Sequence, residues 1–534
     1  MRESVLRLRA MEIFDSLRPD HHVYKWLVLI TVMLGTFMVI LDGTIVNVAI
    51  PSIMSSYGVT ISEVVWVSTA YLVALSILLA VSGWISDHIG ARRAYMLGLI
   101  IFIASSYLCG IAKDLHFLIA FRVIQGIGGG ILTPVGMILF TTEFPPEKRI
   151  IPLGFYSISI AAAISLGPTV GGYLIDKMDW SWIFFINVPI GILTLAAAWV
   201  ILKFTEGKKF EKFDFWGFLW LTVFLVFLIV AISSGNAPWN TEGWTSKYTI
   251  AYFAISAFGA FAFVWTELHT SHPVVNIHVF RDRNFFLGNL VLFIFSFTLF
   301  GSSFLLPLYL QNGLGYSKIS TGLALLPLGL AQGVFGAVSG LLIRWVPARL
   351  LVLIGILGLG ITYYFNADFT LYTSKSEILW LFAWRGVAMA LMFAPLVSIT
   401  LSTIPEEKMS QATGLFTVQR QIGAAMGVAV FETIFTLRAT YHSAMYGLNV
   451  DPTSPAFEEV VLRLQSSAFT DSGSSALLAA SQAQQIIIQN IENHVFIQAI
   501  ADNLLIAGFI TFLSCIPLFF LKKSKSSLMR AFED

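Results

Sequence analysis

The sequence predicts an all-α integral membrane protein with fourteen transmembrane helices. Of the 534 residues, 57% are hydrophobic and only 12% are charged, whereas soluble domains carry about 25% charged residues. The mean hydropathy is +0.79. Many apolar runs are long enough to cross a bilayer as a helix of about 20 residues. An internal repeat also divides the chain into two similar halves.

The spans are predicted from apolar runs that short polar loops separate. They fall near 24–50, 62–86, 94–112, 116–140, 153–176, 182–203, 215–234, 248–268, 285–311, 320–343, 349–366, 376–402, 411–437 and 496–521. Lys and Arg concentrate in the loops on one side of this pattern, which places both termini in the cytoplasm. The first run continues past Asp42 and is too long for a signal peptide core, so we expect it to remain as an anchor.

Parts of the two halves superpose on each other. A shift of about 260 residues places Gly126 on Gly386 and Pro145 on Pro405, so that spans four and five recur as spans twelve and thirteen. A shift of about 257 residues lays the loop after span two over the loop after span ten. Such repeats are typical of transporters whose site lies between the halves, near the bilayer midplane.

The repeat predicts two six-helix halves plus two inserted helices. The expected segments are a cytoplasmic N-terminal segment (1–23), the first half (24–203), a linker with spans seven and eight (204–284), the second half (285–521) and a cytoplasmic tail (522–534). The second half contains a long outer loop at 438–495 that includes helical-looking stretches. Loops of this length are often functional, although a solvated loop without a partner is equally consistent with the sequence.

The fifth span, from Gly154 to Asp176, carries an unusual number of helix-breaking residues. They are Gly154, Gly167, Pro168, Gly171 and Gly172. Glycine lets two membrane helices approach closely, and neighbouring helices can replace the hydrogen bond that proline removes. The fifth span is therefore predicted to be a packing surface and a bend between helices that slide or rock.

Two charged residues are predicted to lie inside the membrane in the first half. Asp42 is in span one and Arg122 is in span four. Each costs about 2.5–3.5 kcal/mol to insert, so each should have a reason to be there. The two residues lie at similar depth at a rise of about 1.5 Å per residue, which makes contact possible. We predict that Asp42 binds a proton and that Arg122 tunes this binding; a purely structural ion pair is the alternative.

The loop between spans two and three has the pattern of a gate. It contains Gly83, Asp87, Gly90 and Arg92, with an acid at one helix end and a base at the next. An Asp87–Arg92 pair could latch the cytoplasmic ends of two helices, and a gate requires a latch that can exchange. A cytoplasmic loop with a turn glycine would explain the arginine but not the full spacing.

Other charged residues in the spans are secondary candidates. Arg385 and Arg420 could line the cavity or pair with backbone carbonyls, whereas Glu432 is expected at the outer rim of span thirteen. The two cysteines and the scattered histidines predict neither a metal site nor a disulfide framework. No cofactor is predicted. A net charge of +1 gives no basic surface for nucleic acid.

These motifs resemble those of the fourteen-span drug:proton antiporters of the EmrB/QacA type, within the major facilitator superfamily. The matching residues are Asp42, Thr44, Asn47, Pro51, Asp87, Gly90, Arg92, Arg122, Gln125, Gly126, Gly167, Pro168, Gly171, Gly172 and the run 182–191. Ala163 replaces the usual first glycine of the fifth-span motif, and His88 and Ala91 replace usual basic residues of the loop. The long outer loop favours the EmrB branch.

The resemblance implies a major-facilitator fold and a proton-coupled exporter of hydrophobic or amphipathic drugs in a bacterial inner membrane. It also implies a periplasmic membrane-fusion adaptor and an outer-membrane channel as partners. A cationic drug could compete with the proton for Asp42. A proton-linked carrier of one metabolite is the alternative, since fold does not fix substrate. A receptor has no use for a midplane acid, and no nucleophile or phosphate loop indicates an enzyme.

Overall fold

The computed structural model describes residues 23–522, except 145–149, 205–206, 208–212, 236, 238, 271–272, 274, 276, 344, 450–453 and 473–475. The expected cytoplasmic N-terminal segment and tail therefore lie almost wholly outside the described residues. The same holds for the basic residues of two predicted cytoplasmic loops, which are Lys148, Arg149, Lys208, Lys209 and Lys212.

Fifteen long helices make up most of the described chain. They are α1 (Tyr24–Tyr57), α2 (Trp66–Ile89), α3 (Ala91–Gly110), α4 (Leu115–Glu143), α5 (Ile150–Lys177), α6 (Asn187–Ile201), α7 (Phe215–Ser234), α8 (Lys247–His269), α9 (Arg283–Ser303), α10 (Lys318–Leu342), α11 (Ala348–Ala367), α12 (Lys375–Leu401), α13 (Glu406–Asn449), α14 (Pro455–Ser472) and α15 (Ala476–Leu513). The shorter segments are Ile61–Val64, Trp182–Phe185, Gly243–Thr245, Ile277–Arg281, Leu305–Leu308, the π-helix Tyr309–Gly313 and Cys515–Phe519.

The helices agree with the predicted spans. Within the described residues, thirteen helical segments are long and apolar enough to cross a membrane. The remaining predicted span, 153–176, lies in α5, a helix of 28 residues. Because α13 and α15 continue well beyond the spans predicted at 411–437 and 496–521, the segment predicted as a long outer loop is mainly helical.

Acidic residues in the loops begin several of the helices. Asp114, Asp214 and Asp282 precede α4, α7 and α9. Each carboxylate accepts a hydrogen bond from the backbone N–H three residues later, at 3.0, 2.8 and 2.8 Å. These bonds satisfy N–H groups that the first turn of a helix leaves without a partner.

The two halves pack by the same scheme. In the first half α1 contacts α4, α5 and α6, while α4 also contacts α2 and α3. In the second half α9 contacts α12, α13 and α15, while α12 also contacts α10 and α11. Helices α9 to α13 thus correspond to α1 to α5, and α15 corresponds to α6. The repeat seen in the sequence is a repeat of the structure.

The main contacts between the halves are those of α5 with α10 and of α2 with α13. The inserted helices α7 and α8 pack on each other, and α7 also contacts α2 and α13. Thr433 of α13 donates a hydrogen bond to the carbonyl oxygen of Ile232 in α7, over 3.3 Å. The inserted pair therefore lies beside one of the two seams between the halves.

Glycine makes the contact between α5 and α10 close. A methyl group at Gly172 would collide with the carbonyl oxygen of Lys318, and one at Gly322 would collide with that of Pro168. Thr169 donates a hydrogen bond to the carbonyl oxygen of Gly322 over 3.0 Å. The packing surface predicted for the fifth span is present, and here the helix backbones touch directly.

The same helix packs closely on α1. A methyl group at Gly167 would collide with the hydroxyl of Thr44, and one at Gly171 would lie 2.6 Å from Cγ1 of Ile45. Helix α5 therefore contacts α10 across the seam and α1 within its own half through one glycine-rich stretch.

We expect Gly172→Val to prevent the close approach of α5 and α10. The variant should therefore favour a state in which these two helices are separated near Gly172. A cavity of about 290 Å³ lies beside this contact and is lined by Pro51, Ser52, Ser55, Ser56, Asp179, Trp180, Gln311 and Lys318. Maleimide labelling of a Ser52→Cys reporter should increase several-fold in the Gly172→Val background, and transport should fall. Gly336→Val is the matched control, since nothing lies within 4 Å of a methyl group there. Equal labelling in both backgrounds would contradict the role of this contact.

Candidate functional site

Asp42 and Arg122 form an ion pair in the interior of the first half. Nη1 of Arg122 donates to Oδ2 of Asp42. Both residues are 0% exposed. The contact that similar depth made possible is therefore present between α1 and α4. Removing one partner of a buried pair costs about 3–5 kcal/mol, because the other charge is left without compensation.

Two neutral side chains also bind the carboxylate of Asp42. Nε2 of Gln125 donates to Oδ1 over 2.9 Å, and Nδ2 of Asn187 donates to the same oxygen over 2.8 Å. Gln125 is fixed in turn by Ser106, whose hydroxyl oxygen accepts from Nε2 over 2.7 Å. The carboxylate thus has one charged donor and two neutral donors, which come from α4 and α6.

Arg122 is held by contacts that do not depend on the acid. Its Nε donates to the carbonyl oxygen of Val67 over 3.0 Å. Its guanidinium carbon lies 4.0 Å from the ring centroid of Tyr71 and 5.7 Å from that of Phe184. Cation–π contacts of this kind stabilise a desolvated guanidinium. The cation would therefore keep partners if a proton neutralised Asp42, as predicted.

The burial of Asp42 bears on the predicted competition between a drug and a proton. The side chain of Asp42 is fully buried, and three other side chains already donate hydrogen bonds to its carboxylate. A bulky cation cannot reach the carboxylate in this conformation, so the predicted direct competition requires a change in the packing of α1. Thr44 and Ile45 of α1 pack on the glycines of α5. A movement of α5 would therefore displace α1, the helix that carries Asp42.

The predicted gating loop is a tight turn, but its arginine contacts another helix. Gly90 has φ of 89°, which favours glycine, and it separates α2 from α3. Arg92 donates to the carbonyl oxygen of Trp199 in α6 and lies 5.6 Å from its ring centroid. Among the described residues no ion pair joins Arg92 to Asp87, so the latch stays a prediction for another state. Gly83 lies in α2 with open space around it.

The secondary candidates are dispersed. Asn47 is half-buried on α1 and is not hydrogen-bonded to Asp42 in the described chain. Arg385 is buried in the second half, and Arg420 is partly exposed on α13. Glu432 was expected at the outer rim of span thirteen but is only 2% exposed, and α13 continues beyond that predicted span to Asn449. Its Oε1 accepts from Thr436 over 3.0 Å.

Sequence reasoning missed most of the neutral groups around the ion pair. Asn187 was noted only within the run 182–191, which resembles the antiporter family. Ser106 and Tyr71 were not predicted to belong to the site. A usable signal was available, since buried polar side chains inside apolar spans require hydrogen-bond partners. That signal does not tell which group each polar side chain binds, so it could not identify Asp42 as the partner of Asn187.

A twofold repeat of six membrane helices, with a buried ion pair inside one half, is the layout of a secondary membrane transporter. A family model described as Major Facilitator Superfamily matches residues 32–428. The chain is 33% identical over 466 residues to the Multidrug export protein EmrB of Haemophilus influenzae, with 87% of this chain and 90% of that protein covered. It is 31% identical to EmrB of Escherichia coli K12, with coverages of 90% and 94%. It is also 31% identical to the Fatty acid resistance protein FarB of Neisseria gonorrhoeae, with coverages of 92% and 94%.

The fold is likewise shared with solved transporters. A bacterial homologue of the human lysosomal transporter Spinster superposes with a TM-score of 0.61 at 16% identity, and the match covers 95% of this chain and all of that one. A D-xylose–proton symporter gives 0.59 at 13% identity, with coverages of 94% and 99%. The chain belongs to the major facilitator superfamily, and its predicted resemblance to EmrB-type proteins is confirmed.

We expect Asn187→Ala to shift the pH dependence of transport. The carboxylate of Asp42 would lose one of its two neutral donors, and an anion with fewer donors binds a proton more readily. The pH of half-maximal transport should rise by about one unit, as a lost hydrogen bond to a charged group implies. Asn503→Ala is the matched control, since Asn503 is a buried amide on α15 that donates to the carbonyl oxygen of Ala499 over 3.0 Å. A pH profile that is unchanged in Asn187→Ala would contradict this role.

Proposed function

We propose that this protein exports hydrophobic or amphipathic compounds from the cytoplasm in exchange for protons. The buried Asp42–Arg122 pair is the observation that carries the proposal, because an ionisable pair inside a membrane half is costly unless it is used. Relatives with the printed names multidrug export protein and fatty acid resistance protein support compounds of this class. Placement in a bacterial inner membrane with both termini in the cytoplasm is part of the proposal.

The coupling follows from the partners of Asp42. A proton that binds the carboxylate removes its attraction for Arg122, which keeps its contacts with Val67 and Tyr71. Helix α1 is then free to shift relative to α4, and α5 packs on α1 through Gly167 and Gly171. Downhill proton entry supplies about 2.3 kcal/mol per charge for each 100 mV of membrane potential.

The transport test uses proteoliposomes and a panel of dyes and amphipathic acids, with and without an imposed pH gradient. Asp42→Asn should keep expression and some drug binding but lose pH-driven transport. Arg122→Ala should abolish transport or shift its pH dependence, and Arg122→Lys should fall between, because lysine keeps the charge but loses the planar donors. Gradient-independent transport by the wild type would contradict proton coupling. Transport of a single metabolite only would favour the alternative, a specific proton-linked carrier.

We further propose that the helical extension beyond the membrane docks a periplasmic adaptor, which in turn reaches an outer-membrane channel. The extension comprises the end of α13, α14 and the start of α15. Asp502 ties α15 to α13 by accepting from Nε of Arg438 and by bonding Nε2 of His442, each over 2.6 Å. Large apolar side chains remain exposed on it; they include Tyr441, Met445, Leu448, Val460, Leu462, Ile486 and Ile488. An exposed apolar surface on these helices is suited to a protein partner.

Leu448→Ser together with Leu462→Ser should separate docking from transport. Both side chains are strongly exposed, at 82% and 64%, so the fold should tolerate the change. Drug resistance in cells should fall sharply, while proton-driven transport in proteoliposomes should stay at the wild-type rate. Trp380→Ser is the matched control, since Trp380 is also exposed, at 67%, but lies on α12. Equal losses in both assays would make the extension part of the transport core.

A further inference from the structure

The second half contains a counterpart of the site around Asp42. A shift of about 260 residues places Ser302 at the position of Asp42 and Arg385 at that of Gln125. Nη2 of Arg385 donates to the hydroxyl oxygen of Ser302 over 2.6 Å, just as Nε2 of Gln125 donates to Asp42. The contact between the two helices is retained, but a cation replaces the amide and a hydroxyl replaces the acid.

Arg385 has no acid to compensate its charge. It is 0% exposed. Its Nη2 also donates to the hydroxyl of Tyr363 over 3.2 Å, and its guanidinium carbon lies 4.6 Å from that ring centroid. In the described part of the chain, its Nε and Nη1 have no hydrogen-bond partner and no carboxylate lies within ion-pair distance. A buried charge in this condition requires an opposite charge.

A second buried side chain beside Arg385 also lacks partners. Asn366 is three residues after Tyr363 on α11, and residues at this spacing share a helix face. It is 1% exposed, and neither of its amide atoms has a partner among the residues described. Since Tyr363 contacts Arg385, this face of α11 is directed at α12. Nε and Nη1 of Arg385 and Nδ2 of Asn366 are therefore buried donors without described partners on two helices that pack against each other.

We propose that Arg385 and Asn366 bind a small monovalent anion, which is chloride under cellular conditions. The anion supplies in the second half the negative charge that Asp42 supplies in the first. A halide accepts hydrogen bonds from several directions at once, which matches donors that come from two helices. Because Arg385 and Asn366 are both buried within one half, we expect a small inorganic anion to reach them and the carboxylate of a bulky amphipathic drug not to. The proposal does not depend on which compound is exported.

The test measures the thermal stability of the purified protein while chloride is replaced by gluconate at constant ionic strength. A ligand that binds only the folded state raises the Tm, so the wild-type Tm should rise saturably with chloride and with bromide. Ser302→Asp restores an internal acid opposite Arg385; it should raise the Tm in gluconate and abolish the response to halide. Ser303→Asp is the matched control, because it adds the same charge one residue further along α9 and should keep the response.

Arg385→Gln provides a second variant in case the aspartate disturbs folding. It copies Gln125 of the first half, so it should remove both the halide response and the binding of radioactive chloride. Binding of chloride by the wild type, but not by Arg385→Gln, would support the site. A wild-type Tm that is equal in chloride and gluconate, with no chloride bound, would overturn the proposal. A full halide response in Ser302→Asp would overturn it as well.

Discussion

A carboxylate and a guanidinium that are fully buried side by side are the constraint on which this structure depends. Asp42 and Arg122 can remain there only because each compensates the other and because Gln125 and Asn187 satisfy the second carboxylate oxygen. Their geometry fixes the relative positions of α1, α4 and α6. A proton that binds at Asp42 therefore changes the energy of packing between three helices and not only the charge of one side chain.

Helix α1 links this chemistry to the seam between the halves. Asp42 is directed at α4 and α6, whereas Thr44 and Ile45, two and three residues later, contact the glycines of α5. Helix α5 then meets α10 of the other half at Gly172. Glycine leaves no flexible side chain between these backbones that could absorb a displacement. A shift of α1 should therefore displace α5, and a shift of α5 should displace α10. In the proposed exchange, proton binding at Asp42 and closure of the seam are therefore coupled through the packing of α1 on α5 and of α5 on α10.

The sequence allowed much of this to be predicted, for physical reasons that also explain what it missed. Charges inside apolar runs are rare enough that Asp42 and Arg122 were recognised, and similar depth made their contact a reasonable prediction. The glycines of span five predicted close packing but not that they contact both α1 and α10. Glu432 was expected at the rim, but its burial depends on the packing around α13, which the sequence does not reveal. The partners of Arg385 depend on which face of α11 meets α12, and only the structure supplies this.

Drug-driven proton release from the purified protein tests the central claim most directly. Adding a transported drug to the wild type in a weakly buffered solution should release protons, while Asp42→Asn should release none although it still binds the drug. Gly336→Ala, at an uncrowded position of α10, should behave as the wild type does. If Asp42→Asn released protons as the wild type does, the coupling site would lie elsewhere, and buried Glu432 would be the next residue to test.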